Sequence, residues 1–171
     1  DVRPHGRVFR IEMPSLAVRT LDDDIRFTNG IAFGPDDDLY ANETLTGEVF
    51  RYHWLGGDVG PRQSFGNVLV SPDREQISGP DGMKFSADGR LFVTVFGQGD
   101  VTVLGPDGQV LERLLTDGAA PTNLVFGAAG SGVIYVTEDA HGTLERLDVG
   151  VDGLKLHQGD VATLTATIAR S

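Results

Sequence analysis

Two oxygen-bearing side chains stand at the same place in one repeated motif. Asn29 in Thr28-Asn29-Gly30-Ile31-Ala32-Phe33 and Asp81 in Pro80-Asp81-Gly82-Met83-Lys84-Phe85 occupy equivalent slots, 52 positions apart (81 − 29). A carboxylate and a carboxamide oxygen are hard donors, suited to calcium, magnesium or manganese. Asn29 would bind through its carbonyl without adding charge, whereas Asp81 would partly neutralise the ion. Equivalent strand starts that aim both side chains at one point would supply part of a metal site on a propeller axis.

The elements that must aim them follow from the repeat. A third copy, Pro121-Thr122-Asn123-Leu124-Val125-Phe126, begins its slot 41 residues after the second (122 − 81). In every copy a short strand ends in Phe33, Phe85 or Phe126, and two further strands follow, beginning at Leu39, Leu91 and Val133 and then at Glu48, Asp100 and Thr143. Fourth strands are expected over residues 64–70 and 110–115. A period of about 40 to 50 residues, with four short strands in each, is the mark of propeller blades. The fold expected is therefore all-β, with blade remnants at about residues 1–24, 28–72, 80–117 and 121–149 and a tail over 150–171. In the third copy Thr122 takes the ligand slot; its hydroxyl could face a substrate, but packing is the preferred reading.

Composition narrows the chemistry. The 171 residues include no cysteine, so a disulfide frame and a thiolate metal site are both excluded and any metal must be held by oxygen or histidine. A net charge of −11, with Lys84 and Lys155 the only lysines, provides no basic stripe to neutralise phosphates and argues against a nucleic-acid partner. No apolar run is long enough for a membrane span. The residues leave the compartment open, with a soluble, cytoplasmic setting preferred.

Most aspartates belong to turns. Asp88-Gly89 and Asp107-Gly108 lie between strands, as do Asp36 to Asp38, and Asp-Gly is a common hairpin pair. The run Asp22-Asp23-Asp24 reads as a solvated turn rather than a cation site. Asp81 differs because it precedes the first strand of a blade, although taken alone it reads equally as a cap on that strand's entry. His5, His53, His141 and His157 have no zinc-motif spacing and read as surface or turn residues. Trp54 reads as cover for a blade edge, and Thr137-Glu138-Asp139 as a polar strand exit. No Gly-x-Ser-x-Gly elbow or phosphate loop is present.

Asn29-Gly30-Ile31-Ala32-Phe33-Gly34-Pro35-Asp36, Leu39-Tyr40-Ala41-Asn42, Gly79-Pro80-Asp81-Gly82-Met83 and Pro121-Thr122-Asn123-Leu124-Val125-Phe126-Gly127 with Ile134-Tyr135-Val136-Thr137 keep the order and spacing of one family. The chain resembles the second half of the senescence-marker-protein/gluconolactonase (regucalcin-like) sugar lactonases. The resemblance implies a six-bladed propeller, of which this chain would form about three and a half four-stranded blades. It also implies one divalent cation at the top of the channel: calcium first, with zinc, magnesium or manganese as alternatives. Asn29 and Asp81 would then be metal ligands, and Asp81 would also be the catalytic residue assisting proton transfer. The substrate implied is a sugar lactone or a related small cyclic ester.

The family's first half would supply an acidic ligand, another asparagine and most substrate-orienting residues. Residues 1–21 read as the outer strands of a blade already begun, so the ring would need a missing half or a second chain to close. Truncation, a nicked enzyme and two paired arcs are the three explanations expected, and an isolated arc would expose its end faces. The rival to a lactonase is a non-catalytic propeller, a binding module or inactive fragment that kept the blade motifs.

Overall fold

The computed structural model describes residues 5–71 and 77–156. The opening of the first expected remnant, the close of the second and the tail from His157 onward lie outside the described residues. The described chain holds thirteen strands and no helix. They run β1 Gly6–Ile11, β2 Val18–Ile25, β3 Thr28–Phe33, β4 Leu39–Glu43, β5 Glu48–Tyr52, β6 Gln63–Asn67, β7 Gly79–Phe85, β8 Leu91–Phe96, β9 Asp100–Leu104, β10 Val110–Leu115, β11 Pro121–Phe126, β12 Val133–Glu138 and β13 Thr143–Asp148. They form four antiparallel sheets with simple up-and-down order: β1-β2, β3-β4-β5-β6, β7-β8-β9-β10 and β11-β12-β13. Among the described residues no helix is long and apolar enough to cross a membrane.

Period-two alternation explains how the sheets stack. Along β4, Leu39 and Ala41 point to one face and Tyr40 to the other; along β8, Leu91, Val93 and Val95 oppose Phe92. Each face meets a different neighbour, so the core is divided into three interfaces. Val8 and Ile25 meet Leu39, Ala41 and Tyr52 between the first two sheets. Tyr40 and Val49 meet Met83, Phe85 and Leu91 between the second and third. Phe92, Val101 and Val103 meet Leu124, Ile134 and Val136 between the third and fourth. The third sheet is covered on both faces, and β8 and β9 are accordingly buried almost throughout. Among the described residues the terminal sheets have one covered face each, leaving Ile11 58%, Val18 64% and Leu144 70% exposed.

Three local expectations change. The strand expected over residues 64–70 stops at Asn67, because the Val68 amide turns to the Gly47 carbonyl and its side chain drops into the core. The second of the outer strands expected within residues 1–21 runs on to Ile25, over Val18–Ile25, and takes in Asp22, Asp23 and Asp24, so that acidic run is not a turn. Asp22 is held there by the Tyr52 hydroxyl, which donates to it at 2.7 Å, and by Arg62. Asp38, expected in a turn, is buried: it accepts from Arg51 Nε at 2.6 Å and from the Trp54 amide at 3.1 Å, and lies 2.9 Å from His53 Nδ1. The expected Asp-Gly turns at Gly89 and Gly108 do form, with φ of 85° and 79°. Trp54 packs edge-on against Phe33 at 5.2 Å between ring centres.

Candidate functional site

A β-bulge at the start of each inner strand builds the site. In β3, Thr28 pairs with Glu43 and Ile31 with Ala41, so Asn29 and Gly30 together oppose Asn42. In β7, Pro80 pairs with Val95 and Met83 with Val93, so Asp81 and Gly82 together oppose Thr94. In β11, Pro121 pairs with Glu138 and Asn123 with Thr137, leaving Thr122 as the extra residue. A bulge bends the strand and re-aims one side chain. Here it turns the same slot in all three copies.

Each bulge is pinned by the polar residue it faces. The Gly30 amide donates to Asn42 Oδ1 at 2.9 Å, Thr94 Oγ1 donates to the Gly82 carbonyl at 3.0 Å, and the Asn123 amide donates to Thr137 Oγ1 at 3.1 Å. Asn42 and Thr94 are fully buried, so these are the partners that spare the bulge unpaired backbone groups. Asn42 also reaches across to the next sheet, where its Nδ2 donates to the Asp81 carbonyl at 2.7 Å. Beside it, Thr44 Oγ1 donates to the Pro80 carbonyl at 2.8 Å. The second sheet thus fixes the backbone that carries Asp81.

The glycines after Asn29 and Asp81 let adjacent inner strands meet. A Cβ on Gly30 would lie 2.2 Å from the Asp81 carbonyl oxygen, and one on Gly82 would lie 2.8 Å from the Asn123 Cα. Through this close approach the Asn29 amide hydrogen-bonds the Asp81 carboxyl. Burial raises the Asp81 pKa above the usual carboxylate range, and the Asn29 bond opposes that shift only in part. Asn29 itself is exposed and Asp81 half-buried, so both face open space at the strand starts.

The third copy does something else. Thr122 Oγ1 lies 2.8 Å from Thr137 Oγ1 and is engaged within its own sheet. Among the described residues no three His, Cys, Asp or Glu side chains gather as a metal cluster. His53 and His141 lie beside Asp38 and Glu138, in separate blades. Glu138, read as a polar strand exit, is buried and accepts from the amides of Ala120, Ala140 and His141. As donor types, the Asn29 carboxamide and the Asp81 carboxylate suit a hard cation, and the half-buried carboxylate has no positive partner in the hydrogen bonds around it.

Sequence reasoning overlooked Asn42 and Thr94 as the residues that hold the slot. The signal was present as spacing: each follows its slot residue by thirteen positions (42 − 29 and 94 − 81), a polar residue after an apolar strand opening.

Comparison with known proteins extends the repeat. The SMP-30/Gluconolactonase/LRE-like region matches residues 1–140. The 6-deoxy-6-sulfogluconolactonase of Pseudomonas putida is 31% identical over 137 residues, 79% of this chain and 45% of that protein. The L-arabinolactonase of Azospirillum brasilense is 32% identical over 111 residues, 64% of this chain and 35% of that protein. A solved structure described as a gluconolactonase-family protein superposes with a TM-score of 0.71 at 26% identity, covering 88% of this chain and 48% of that one. The chain therefore spans about half the length, or less, of the relatives it matches. With its ordered motifs, stacked antiparallel sheets and this match over most of its length, the chain belongs to the SMP-30/gluconolactonase/LRE-like family.

Proposed function

We propose that this chain supplies part of the active site of a metal-dependent lactone hydrolase whose ring is a six-bladed propeller. The observation that carries the reading is the meeting of Asn29 and Asp81, side chain to side chain, from equivalent bulges on neighbouring inner strands. Relatives named for lactonase activity support the reaction class, and the sugar lactones in their names support the substrate class. Asn29 and Asp81 would hold one divalent cation, calcium before magnesium, manganese or zinc, and further ligands would come from the other half of the ring. When bound, such an ion polarises a lactone carbonyl and acidifies water.

The residues of this chain have defined parts in that reaction. Asn29 holds the Asp81 carboxyl in orientation, and Asn42 and Thr44 hold its backbone. Burial raises the Asp81 pKa above the usual carboxylate range, a shift that a bound cation would oppose, so its part as proton acceptor rests on the placement of its carboxylate oxygens. An Asp81 oxygen takes the proton of the attacking water as the C–O bond to the lactone carbonyl carbon forms. The same proton returns to the ring oxygen as the ester bond breaks, leaving the hydroxy acid.

Acid release from gluconolactone by the complete protein tests the proposal. Asp81→Ala should lower kcat by about 100-fold or more, and a chelator should abolish turnover until a divalent cation is restored. Full activity in Asp81→Ala, or activity indifferent to chelator, would remove the metal mechanism and favour a non-catalytic binding module.

A further inference from the structure

The opposite ends of the inner strands border an open cavity of about 760 Å³, within the range of small-molecule sites. It lies beyond Lys84, three residues from Asp81 and so roughly 10 Å further along the strand. Its walls are mainly apolar: Ile31 and Phe33 from β3, Phe85 from β7, Val125 and Phe126 from β11, and Leu156 from the segment after β13. That segment is tied down, since the Leu154 amide donates to the Phe85 carbonyl at 2.9 Å and the Ala87 amide to the Asp152 carbonyl at 2.8 Å.

Into this apolar lining come Lys84 and Lys155, the two lysines of the sequence. Neither has an ion pair among the described residues. Lys84 is half-buried, and its ammonium donates to the neighbouring Met83 carbonyl at 3.0 Å. The acid in the wall, Asp152, is committed elsewhere: its carboxylate accepts from the Gly130 amide at 2.6 Å and the Gly132 amide at 3.3 Å. Burial holds the Lys84 ammonium below the ordinary lysine range, as expected where no counter-charge offsets desolvation. An uncompensated cation in an apolar cavity favours a ligand that brings one negative charge and an apolar body.

We propose that this cavity binds an amphipathic monocarboxylate, with its carboxylate at Lys84 and its hydrocarbon chain against Phe33, Phe85 and Phe126. A polyhydroxy acid, such as a sugar lactone would release, suits the site poorly because the phenylalanines offer its hydroxyls no partners. Among the described residues no arginine lines the cavity, so the Lys84 ammonium matches a carboxylate better than a phosphate. The site stands apart from the reaction proposed above and does not depend on it.

Isothermal titration of the intact protein with decanoate, decanol and gluconate tests the proposal. Decanoate should bind about tenfold or more tightly than either comparison ligand. Lys84→Met should weaken decanoate by about tenfold and leave decanol unchanged, while Lys84→Arg should retain decanoate binding. Asp81→Asn should bind decanoate as the native protein does. No decanoate binding, equal affinity for decanoate and decanol, or loss of binding in Asp81→Asn would each overturn the assignment. The comparison between decanoate and decanol on the native protein decides even where a Lys84 variant fails to fold.

Discussion

The bulges of β7 and β11 share a register but not a purpose. In β7 the slot residue Asp81 is turned out to meet Asn29, and Gly82 behind it admits the next inner strand. In β11 the slot residue Thr122 is bound back to Thr137, and Asn123 follows where the other two copies have glycine. Asn123 is exposed, and its Oδ1 accepts from the Leu124 amide at 2.9 Å. The bulge is therefore scaffold common to all three blades, whereas the proposed metal site adds two things: an oxygen donor free to leave its own sheet, and a glycine that brings the neighbouring strand within reach.

Removing the residue that pins a bulge should separate the copies most. Asn42→Ala deprives the Gly30 amide and the Asp81 carbonyl of their partners at a fully buried position. Each unpaired group costs about 1–3 kcal/mol, so a loss of about 2–4 kcal/mol is expected in urea denaturation. Thr137→Val at the matching, exposed position of β12 should cost only about 0.5–1.5 kcal/mol. Equal losses would mean that the link between sheets contributes nothing beyond the local bulge. Gly82→Ala comes next, with about 1–3 kcal/mol expected from overpacking. Its φ is not positive, so that loss would report the approach of Asn123 rather than backbone conformation. Asn123→Ala, which removes an exposed side chain bonded to the adjacent Leu124 amide, should shift the thermal midpoint far less.

Much of this arrangement was legible as sequence because the repeat fixes register. The recurring strand openings marked the blades, and the phenylalanines closing each inner strand aligned Asn29 with Asp81. What local pattern could not convey was the destination of side chains whose partners lie on other strands. Asp38 looks like a turn residue until Arg51 and the Trp54 amide, thirteen and sixteen positions later, fold over it. Asp22 to Asp24 have the composition of a solvated turn, yet the Tyr52 hydroxyl and Arg62 draw Asp22 into a strand. Asn42 appeared only as part of a motif, because its role rests on a carbonyl 39 positions away.

The ends of the second strands sharpen the contrast between the same two blades through pH. Glu138 in β12 pairs with Pro121 as Val95 in β8 pairs with Pro80, so a buried acid stands in one blade where the other has a buried aliphatic residue. Burial opposes ionisation of Glu138, but hydrogen bonds from the His141, Ala120 and Ala140 amides outweigh it and hold its pKa below the usual range. A group whose folded pKa is depressed stabilises the protein above its unfolded pKa, about 4.3 for glutamate, and loses that contribution as pH falls through the folded value. At this position the terminal blade should therefore lose stability on acidification, where the compared blade has no titrating group. Urea midpoints of the native protein and Glu138→Gln, followed from pH 7 to pH 3, isolate the effect because every other carboxylate titrates in both. The native protein should be the more stable at neutral pH, and the gap should close on acidification. Parallel curves would show that the three amides hold a carbonyl oxygen as well as a carboxylate, leaving the acid sensitivity of this blade to other groups.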